Sequence, residues 1–242
     1  ADRNDTGEAG RGNVCGIGGI VGILGKKEAD GSLTALTADT FTPKISGLTM
    51  NGSISGRLPK PNAVIAGGNV EEEAGQYQYG IGGIFGYAHI GGDVKVEACE
   101  NHADVTGNLF TGGIGGHLNG SYLSSSSFKA QSGSVVSDMK DCSNDGLILC
   151  NSDINQPQEM EGRYFGGIIG YGKNSLLETS YSASGRFGNN RYDISKKDEM
   201  LLGQYVGGII GYGSASQIVG CSTKKGGYIL GSDYVGGIAG GF

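Results

Sequence analysis

The feature that most constrains the fold is a short glycine motif, Gly-Gly-Ile-x-Gly, that occurs six times. It begins at Gly18, Gly82, Gly112, Gly166, Gly207 and Gly236. The two shortest intervals are 30 residues, from Gly82 to Gly112, and 29 residues, from Gly207 to Gly236. A recurring period of this size indicates a stack of supersecondary units, none of which buries its apolar face alone. The longer intervals are that unit with insertions.

The amount of glycine excludes two other fold classes. Glycine accounts for 49 of the 242 residues and proline for only 4. Glycine costs roughly 1 kcal/mol relative to alanine inside a helix, so a helical protein is not expected. Collagen is excluded because the glycines do not recur at every third position. The remaining interpretation is an all-β repeat.

Each unit contains three apolar segments of strand size, and their order predicts the architecture. The glycine motif is followed by an alternating segment such as Val94 to Cys99, and then by a third one such as Gly227 to Leu230. We expect a right-handed parallel β-solenoid (β-helix) of about six rungs, with three short strands per roughly 30-residue repeat. A polar N-terminal segment, 1–13, would precede a single repeat domain, 14–242, that is part of a larger protein. Insertions fall near 25–44, 121–135, 152–162 and 186–202.

Equivalent positions in the units predict the core. The isoleucines of the motif should form one buried ladder: Ile84, Ile114, Ile168, Ile209 and Ile238. Cys99, Cys142 and Cys221 recur at one place and should pack inward as small apolar side chains. Five cysteines cannot all pair within a monomer, and a bridge between Cys142 and Cys150 is the less favoured alternative to positions on successive walls. The three histidines, His89, His102 and His117, are expected to be solvated turn residues.

The units resemble a known repeat family. Tyr205 to Tyr212 with Ile218 to Ser222, together with Glu97 to Asn101 and Lys140 to Asn144, is similar to the GLUG-motif repeats. In that family a Val-Gly-Gly-Leu/Ile-Val-Gly run precedes an Ile-x-Asn-Cys/Ser-Tyr-like segment. Such repeats occur in bacterial secreted and surface proteins, including the non-catalytic parts of IgA peptidases and adhesin-like proteins. The resemblance implies an extracellular or cell-surface location and supplies no catalytic residues.

The candidate binding residues are tyrosines and carboxylates. Tyr87, Tyr171 and Tyr212 follow the same glycine and would be either half-buried or exposed as a platform for sugar rings. Seven carboxylates could align on neighbouring rungs as an acidic strip: Asp93, Glu97, Glu100, Asp104, Asp138, Asp141 and Asp145. Stacked like charges repel, so the strip would be solvated, bind Ca²⁺ or serve catalysis. Solvation is the preferred interpretation, so we expect no catalytic, cofactor-binding or metal-binding residues.

Charge and hydrophobicity limit the partners. The net charge is −6 and the basic residues are scattered, so nucleic acid is not an expected partner. No apolar run is long enough for a membrane helix. The leading hypothesis is a non-enzymatic extracellular module that acts as a structural spacer or as an adhesion or glycan-binding surface. Its partners would be glycans, host surface proteins, other domains of the same polypeptide, or further copies associated end to end. The alternative is a carbohydrate-active enzyme, a lyase or glycosidase, that uses carboxylates on one β wall.

Overall fold

A computed structural model shows an all-β protein built from short parallel strands. It describes residues 14–27, 29, 33–36, 44–55, 78–91, 94–120, 137–150, 163–182, 186–187, 203–223 and 228–242. Over these residues there are strands, bends and turns and no helix. Within the described part of the chain no helical segment is long and apolar enough to cross a membrane.

The strands fall into six successive passages of the chain. Passage one contains β1 (Val14–Gly18), β2 (Val21–Leu24), β3 (Lys26–Lys27), β4 (Leu33–Thr34), β5 (Lys44–Ser46), β6 (Thr49–Met50) and β7 (Ser53–Ser55). Passage two contains β8 (Gln78–Gly82), β9 (Phe85–His89), β10 (Lys95–Glu97), β11 (Glu100–Asn101) and β12 (Asp104–Gly107). Passage three contains β13 (Leu109–Gly112), β14 (Gly115–Asn119), β15 (Met139–Lys140), β16 (Ser143–Asn144) and β17 (Ile148–Cys150).

Passage four contains β18 (Arg163–Gly166), β19 (Ile169–Lys173), β20 (Leu176–Glu178), β21 (Tyr181–Ser182) and β22 (Arg186–Phe187). Passage five contains β23 (Gly203–Gly207), β24 (Ile210–Ser214), β25 (Gln217–Val219), β26 (Ser222–Thr223) and β27 (Tyr228–Ile229). Passage six contains β28 (Gly231–Gly236) and β29 (Ala239–Gly241).

Strands at equivalent places in successive passages pair in parallel and form five sheets. In the order in which the chain visits them, we number these sheets 1 to 5. Sheet 1 has the order β1-β8-β13-β18-β23-β28 and sheet 2 the order β2-β9-β14-β19-β24-β29. Sheets 3, 4 and 5 have five strands each, from β5, β6 and β7 to β25, β26 and β27. An antiparallel pair, β3 and β4, lies within the predicted insertion near 25–44.

The glycine motifs lie in register through all six passages. The first glycine of each motif is the partner of the first glycine of the next, from Gly18 through Gly82, Gly112, Gly166 and Gly207 to Gly236. At the bend that follows, the isoleucine amide of one passage donates to the isoleucine carbonyl of the next, as Ile168 does to Ile209 at 2.9 Å. The repeat seen in the sequence is therefore also the stacking unit of the structure.

The prediction of three strands per repeat is wrong, because the structure has five. Each glycine motif is divided by a bend at its second glycine and isoleucine, so one segment supplies strands of both sheet 1 and sheet 2. The next segment is divided by a left-handed residue between sheets 3 and 4, for example Ala98 with φ of 48° and Thr179 with φ of 47°. Glycine, which accepts this conformation without strain, occupies the same place in two passages as Gly47 and Gly220.

The core consists of two apolar clusters. One lies between sheets 1 and 5 and includes Ile81, Val105 and Phe165, and the other, around sheets 2 and 3, includes the isoleucine ladder. Ile84, Ile114, Ile168 and Ile209 are fully buried, so the ladder prediction is confirmed for four of its five members. The fifth, Ile238, is 39% exposed because no described passage covers it.

The second and third glycines of the motif are required by close backbone approach. A Cβ on Gly113 would overlap the carbonyl oxygen of Gly167 in the next passage and the side chain of Asn144. A Cβ on Gly170 would lie 2.6 Å from the amide nitrogen of Thr111, where sheet 2 packs directly on sheet 1 of the preceding passage. Neither glycine has a positive φ. Close approach of neighbouring backbones, and not a left-handed conformation, is therefore the reason for glycine at these two positions.

The predicted insertion at 186–202 begins too early. Arg186–Phe187 forms β22, which pairs with β17 on one side and β27 on the other. It therefore belongs to sheet 5. The insertions near 121–135 and 152–162, the rest of the one at 186–202, and the segment 1–13 lie outside the described residues.

Candidate functional site

The candidate surface is the solvent side of sheets 3 and 4, which we call the polar wall. It is defined by Lys95, Glu97, Lys140 and Glu178 on sheet 3 and by Glu100, His102, Asp145 and Tyr181 on or beside sheet 4. Strands of two or three residues position these side chains, and alternation along each strand points them away from the core. It carries three of the seven carboxylates that the sequence brought forward, namely Glu97, Glu100 and Asp145.

The polar wall does not form the predicted acidic strip, because acidic and basic residues alternate along it. Strand register places Glu97 beside Lys140, and Lys140 beside Glu178. Lys140 Nζ lies 3.7 Å from Glu178 Oε2, and Lys95 Nζ lies 3.8 Å from Glu97 Oε1. Pairs this exposed contribute about 0–1 kcal/mol each. The alternation removes the like-charge repulsion that would have favoured a bound cation.

His102 bridges two passages at the edge of the polar wall. Its Nδ1 lies 2.6 Å from Asp145 Oδ1 of the next passage, and its Nε2 lies 3.6 Å from Glu100 Oε2. The hydrogen bond and charge of Asp145, helped by Glu100, raise the pKa of His102 above its usual range. His102 and the two carboxylates therefore form a group of three ionisable side chains that spans two passages.

The remaining carboxylates hold neighbouring passages together. Asp104 Oδ1 accepts a hydrogen bond from the Leu147 amide, and Asp138 Oδ2 accepts one from the Leu176 amide, both at 2.9 Å. Asp141 accepts a hydrogen bond from the Thr179 hydroxyl. Asp138 is buried, so it is not available to a ligand. These three residues have structural partners in the adjacent passage, and Asp93 lies outside the described residues.

The structure buries Tyr87 and Tyr171, two of the three tyrosines predicted to be either half-buried or an exposed ligand platform. Tyr87 and Tyr171 are each 1% exposed, and Tyr212 is partly buried against the same core. Burial raises the pKa of the Tyr87 phenol to about 12, although a hydrogen bond from Asn119 opposes it. A sugar ring could stack on Tyr87 or Tyr171 only if the core opened, so these residues do not form a surface platform. The exposed tyrosine of the wall is Tyr181.

His117 is a buried core residue, which corrects the expectation of a solvated turn. It occupies the place of Tyr87 and Tyr171 in the third motif, and register pairs it with both. Its ring packs edge-on against Tyr87 at 5.0 Å and against Tyr171 at 4.9 Å. The motif offset shared with the tyrosines was the signal that could have revealed it. Of the other histidines, His89 is partly buried and His102 is exposed.

A column of asparagine side chains lies buried inside the stack, and the sequence did not predict it. Asn101 Nδ2 donates to Asn144 Oδ1 of the next passage at 2.7 Å and to the Ala103 carbonyl at 2.8 Å. Cys99 and Cys142 stack in the same way and are buried, as predicted, whereas Cys221 is partly exposed. A hydrogen bond with Cys99, together with burial, raises the pKa of Cys142. Cys150 lies on sheet 5 and forms no bridge with Cys142.

Within the residues that the structure describes, no group of three or more His, Cys, Asp or Glu side chains is placed to hold a metal ion. No family model, curated protein or solved structure matches the chain.

Proposed function

We propose that the chain is a non-enzymatic extracellular repeat module that acts as a structural spacer and presents the polar wall for adhesion or glycan binding. Its architecture would be a right-handed parallel β-solenoid of six rungs, of the kind implied by the resemblance to GLUG-motif repeats. The observation that supports this proposal is the unbroken register of the glycine motifs through six passages. When passages stack in register, the protein has a fixed length, and equivalent surface positions recur at a fixed spacing along it.

The physical basis of a spacer is the set of columns that run through the stack. Isoleucine, aromatic and asparagine side chains each contact their counterparts in the next passage. Each passage is therefore stabilised by its neighbours, as in other repeat proteins. At about 4.8 Å per strand, the first and sixth strands of sheet 1 would be about 24 Å apart.

Distance measurement tests the spacer. Thr49 and Ser222 are exposed and lie on the two outer strands of sheet 4, four strand intervals apart. Site-specific spin labels at these positions should report backbones about 19 Å apart with a narrow distribution. A broad distribution in the native protein would contradict a rigid spacer.

Binding and turnover assays decide between the adhesive module and the carbohydrate-active enzyme. Glycosidases require two carboxylates in different protonation states on either side of one bond. On the polar wall the passage between Glu97 and Glu178 carries Lys140. We expect oligosaccharide arrays to show saturable binding without product release, with binding weakened by Tyr181→Ala and retained in a Thr49→Ala control. Turnover that a single Glu178→Gln or Glu97→Gln substitution abolishes would refute the proposal.

A further inference from the structure

Exposed apolar side chains concentrate on the two outward faces of the stack. Eight large hydrophobic residues are exposed in the described part of the chain, and six of them belong to passages one and six. We call the outward surface of passage six the C-face, with Tyr234, Val235, Ile238 and Phe242. The outward surface of passage one is the N-face, with Ile20 and Ile23. A concentration of exposed apolar side chains is typical of an interaction site.

The side chains of both faces belong to the internal columns. Tyr234 stacks on Tyr205 at 4.4 Å with an interplanar angle of 6° and is 61% exposed. Ile238 and Ile20 hold the same motif position as the four fully buried isoleucines and are 39% and 43% exposed. Each face therefore presents one half of the contact that joins successive passages inside the chain.

The backbone groups of the two faces are complementary. At each internal bend, two amides of one passage donate to one carbonyl of the next, as Ile209 and Ile210 both donate to the Ile238 oxygen at 2.8 and 3.0 Å. In passage six the equivalent donors are the amides of Ile238 and Ala239. In passage one the equivalent acceptor is the carbonyl of Ile20. Donors on one face and an acceptor on the other favour a head-to-tail contact over a symmetric one.

We propose that the C-face docks the N-face of a second copy of this chain, so that the glycine motifs of the two copies continue in one register. The contact would place the Ile238 and Ala239 amides on the Ile20 carbonyl of the second copy. The inference rests on the stacked architecture of the proposed function and adds a partner to it. A head-to-tail contact does not close on itself, so it generates linear assemblies rather than only dimers.

Gly237 supplies a specific test. In passages one, two, three and five, a Cβ on the second glycine of the motif would overlap the carbonyl oxygen of the equivalent glycine in the following passage. Gly208 and Gly237 are one such pair. A Cβ on Gly237 has nothing within 4 Å. Gly237→Ala should therefore leave the fold unchanged and place a methyl group where the docked copy would bring its Gly19 carbonyl.

The experiment is sedimentation velocity of the full chain over a range of concentrations. We expect the mass of the wild type to rise with concentration through multiples of the monomer mass. Gly237→Ala, which blocks the C-face, and Ile20→Asp, which blocks the N-face, should each remain monomeric, and Gly237→Ala should unfold at the same midpoint as the monomeric wild type. An equimolar mixture of the two variants should form a dimer, because one retains a free N-face and the other a free C-face.

The possible results of this experiment test the docking inference separately from the spacer proposal. A wild type that is monomeric at every concentration overturns the docking inference and leaves the spacer proposal to the distance measurement. Association that persists in Ile20→Asp alone indicates a symmetric contact between C-faces and also overturns the inference. Association unchanged in Gly237→Ala places the interface elsewhere, with the same consequence.

Discussion

At the scale of single residues, the atoms opposite each motif position determine whether glycine is required there. Gly113 and Gly237 hold the same position in two copies of the motif, yet one faces the backbone of the next passage and the other faces open space. Two glycines at the same position of the motif therefore differ in whether a larger side chain fits. This difference allows a comparison in which the chemistry is matched and only the packing changes.

We expect Gly113→Ala to lower the free energy of unfolding and Gly237→Ala to leave it nearly unchanged. Forcing a methyl group into a closed site typically costs 1–3 kcal/mol, whereas a substitution in open space usually stays within about 0.5 kcal/mol. Denaturant unfolding at a concentration where the chain is monomeric measures both. Equal effects of the two substitutions would show that the glycines act through chain flexibility.

His102 should make stability depend on pH. Its pKa is raised in the folded protein by Asp145, so protonation favours the folded state. The contribution is fully present below the unfolded pKa of about 6.5 and is lost as the pH rises through the folded value. The stability advantage of the wild type over His102→Gln should therefore be largest below about pH 6.5 and should shrink as the pH rises through the folded pKa.

Asp145→Asn provides the control for this pH effect. If the Asp145 carboxylate is the main cause, the effect of His102→Gln should be much smaller in the Asp145→Asn background at every pH. A difference between wild type and His102→Gln that stays constant from acid to alkaline pH would contradict the assignment.

At the scale of elements, short strands are held in register by columns of like side chains. The rings of Phe110, Tyr164, Tyr205 and Tyr234 form one such column on sheet 1, and all four residues have positive φ. Left-handed backbone is uncommon for aromatic residues. Stacking of the rings, at 5.2 Å between Phe110 and Tyr164, offsets part of that strain.

The connection between β22 and β23 should tolerate shortening. In passages two and five a single residue, Asn108 or Leu230, joins sheet 5 to sheet 1. Residues 188–202 make the same connection in passage four, so replacing them with one to three residues is compatible with the stack. Loop entropy changes slowly with length, so the unfolding midpoint should change little.

Removing Arg186–Phe187 as well should destabilise the protein. This deletion takes away β22, which lies between β17 and β27 in sheet 5, and removes one partner of β17 and the described partner of β27. Thermal unfolding of the two deletions, compared with the wild type, distinguishes an insertion from a strand. Similar midpoints for both deletions would mean that β22 contributes nothing to the stack.

At the scale of the whole molecule, stability should decrease from the middle of the stack toward its faces. Each passage is stabilised by its neighbours, and passages one and six have one described neighbour instead of two. The buried residues reflect this gradient, because Ile114 and Ile168 are fully covered while Ile20 and Ile238 are exposed.

Amide hydrogen exchange should reveal this gradient. In the monomer the amides of Ile114 and Ile168, which donate to the next passage, should exchange slowly, and the amide of Ile238 should exchange fast. Raising the protein concentration should slow the exchange at Ile238 if the C-face docks a second copy. Uniform protection through all six passages at low concentration would contradict a nearest-neighbour stack.

The sequence alone determined the repeat, the all-β class, the parallel stacking and most of the isoleucine ladder. These follow from a motif whose period and apolar positions recur, because equivalent residues in a stack must meet one another. The inward position of Cys99 and Cys142 followed for the same reason. The family resemblance, the extracellular location and the function remain predictions.

Only the tertiary structure decided how many strands a repeat contains and which polar groups are exposed. The bends at Ala98 and Thr179 depend on left-handed backbone that their residue types do not signal. The alternation of Glu97, Lys140 and Glu178 depends on inter-passage register, which insertions of unequal length conceal in the sequence. Tyr87 and His117 are buried because sheet 2 packs on sheet 1 through glycines, a contact between distant backbones that no local pattern encodes.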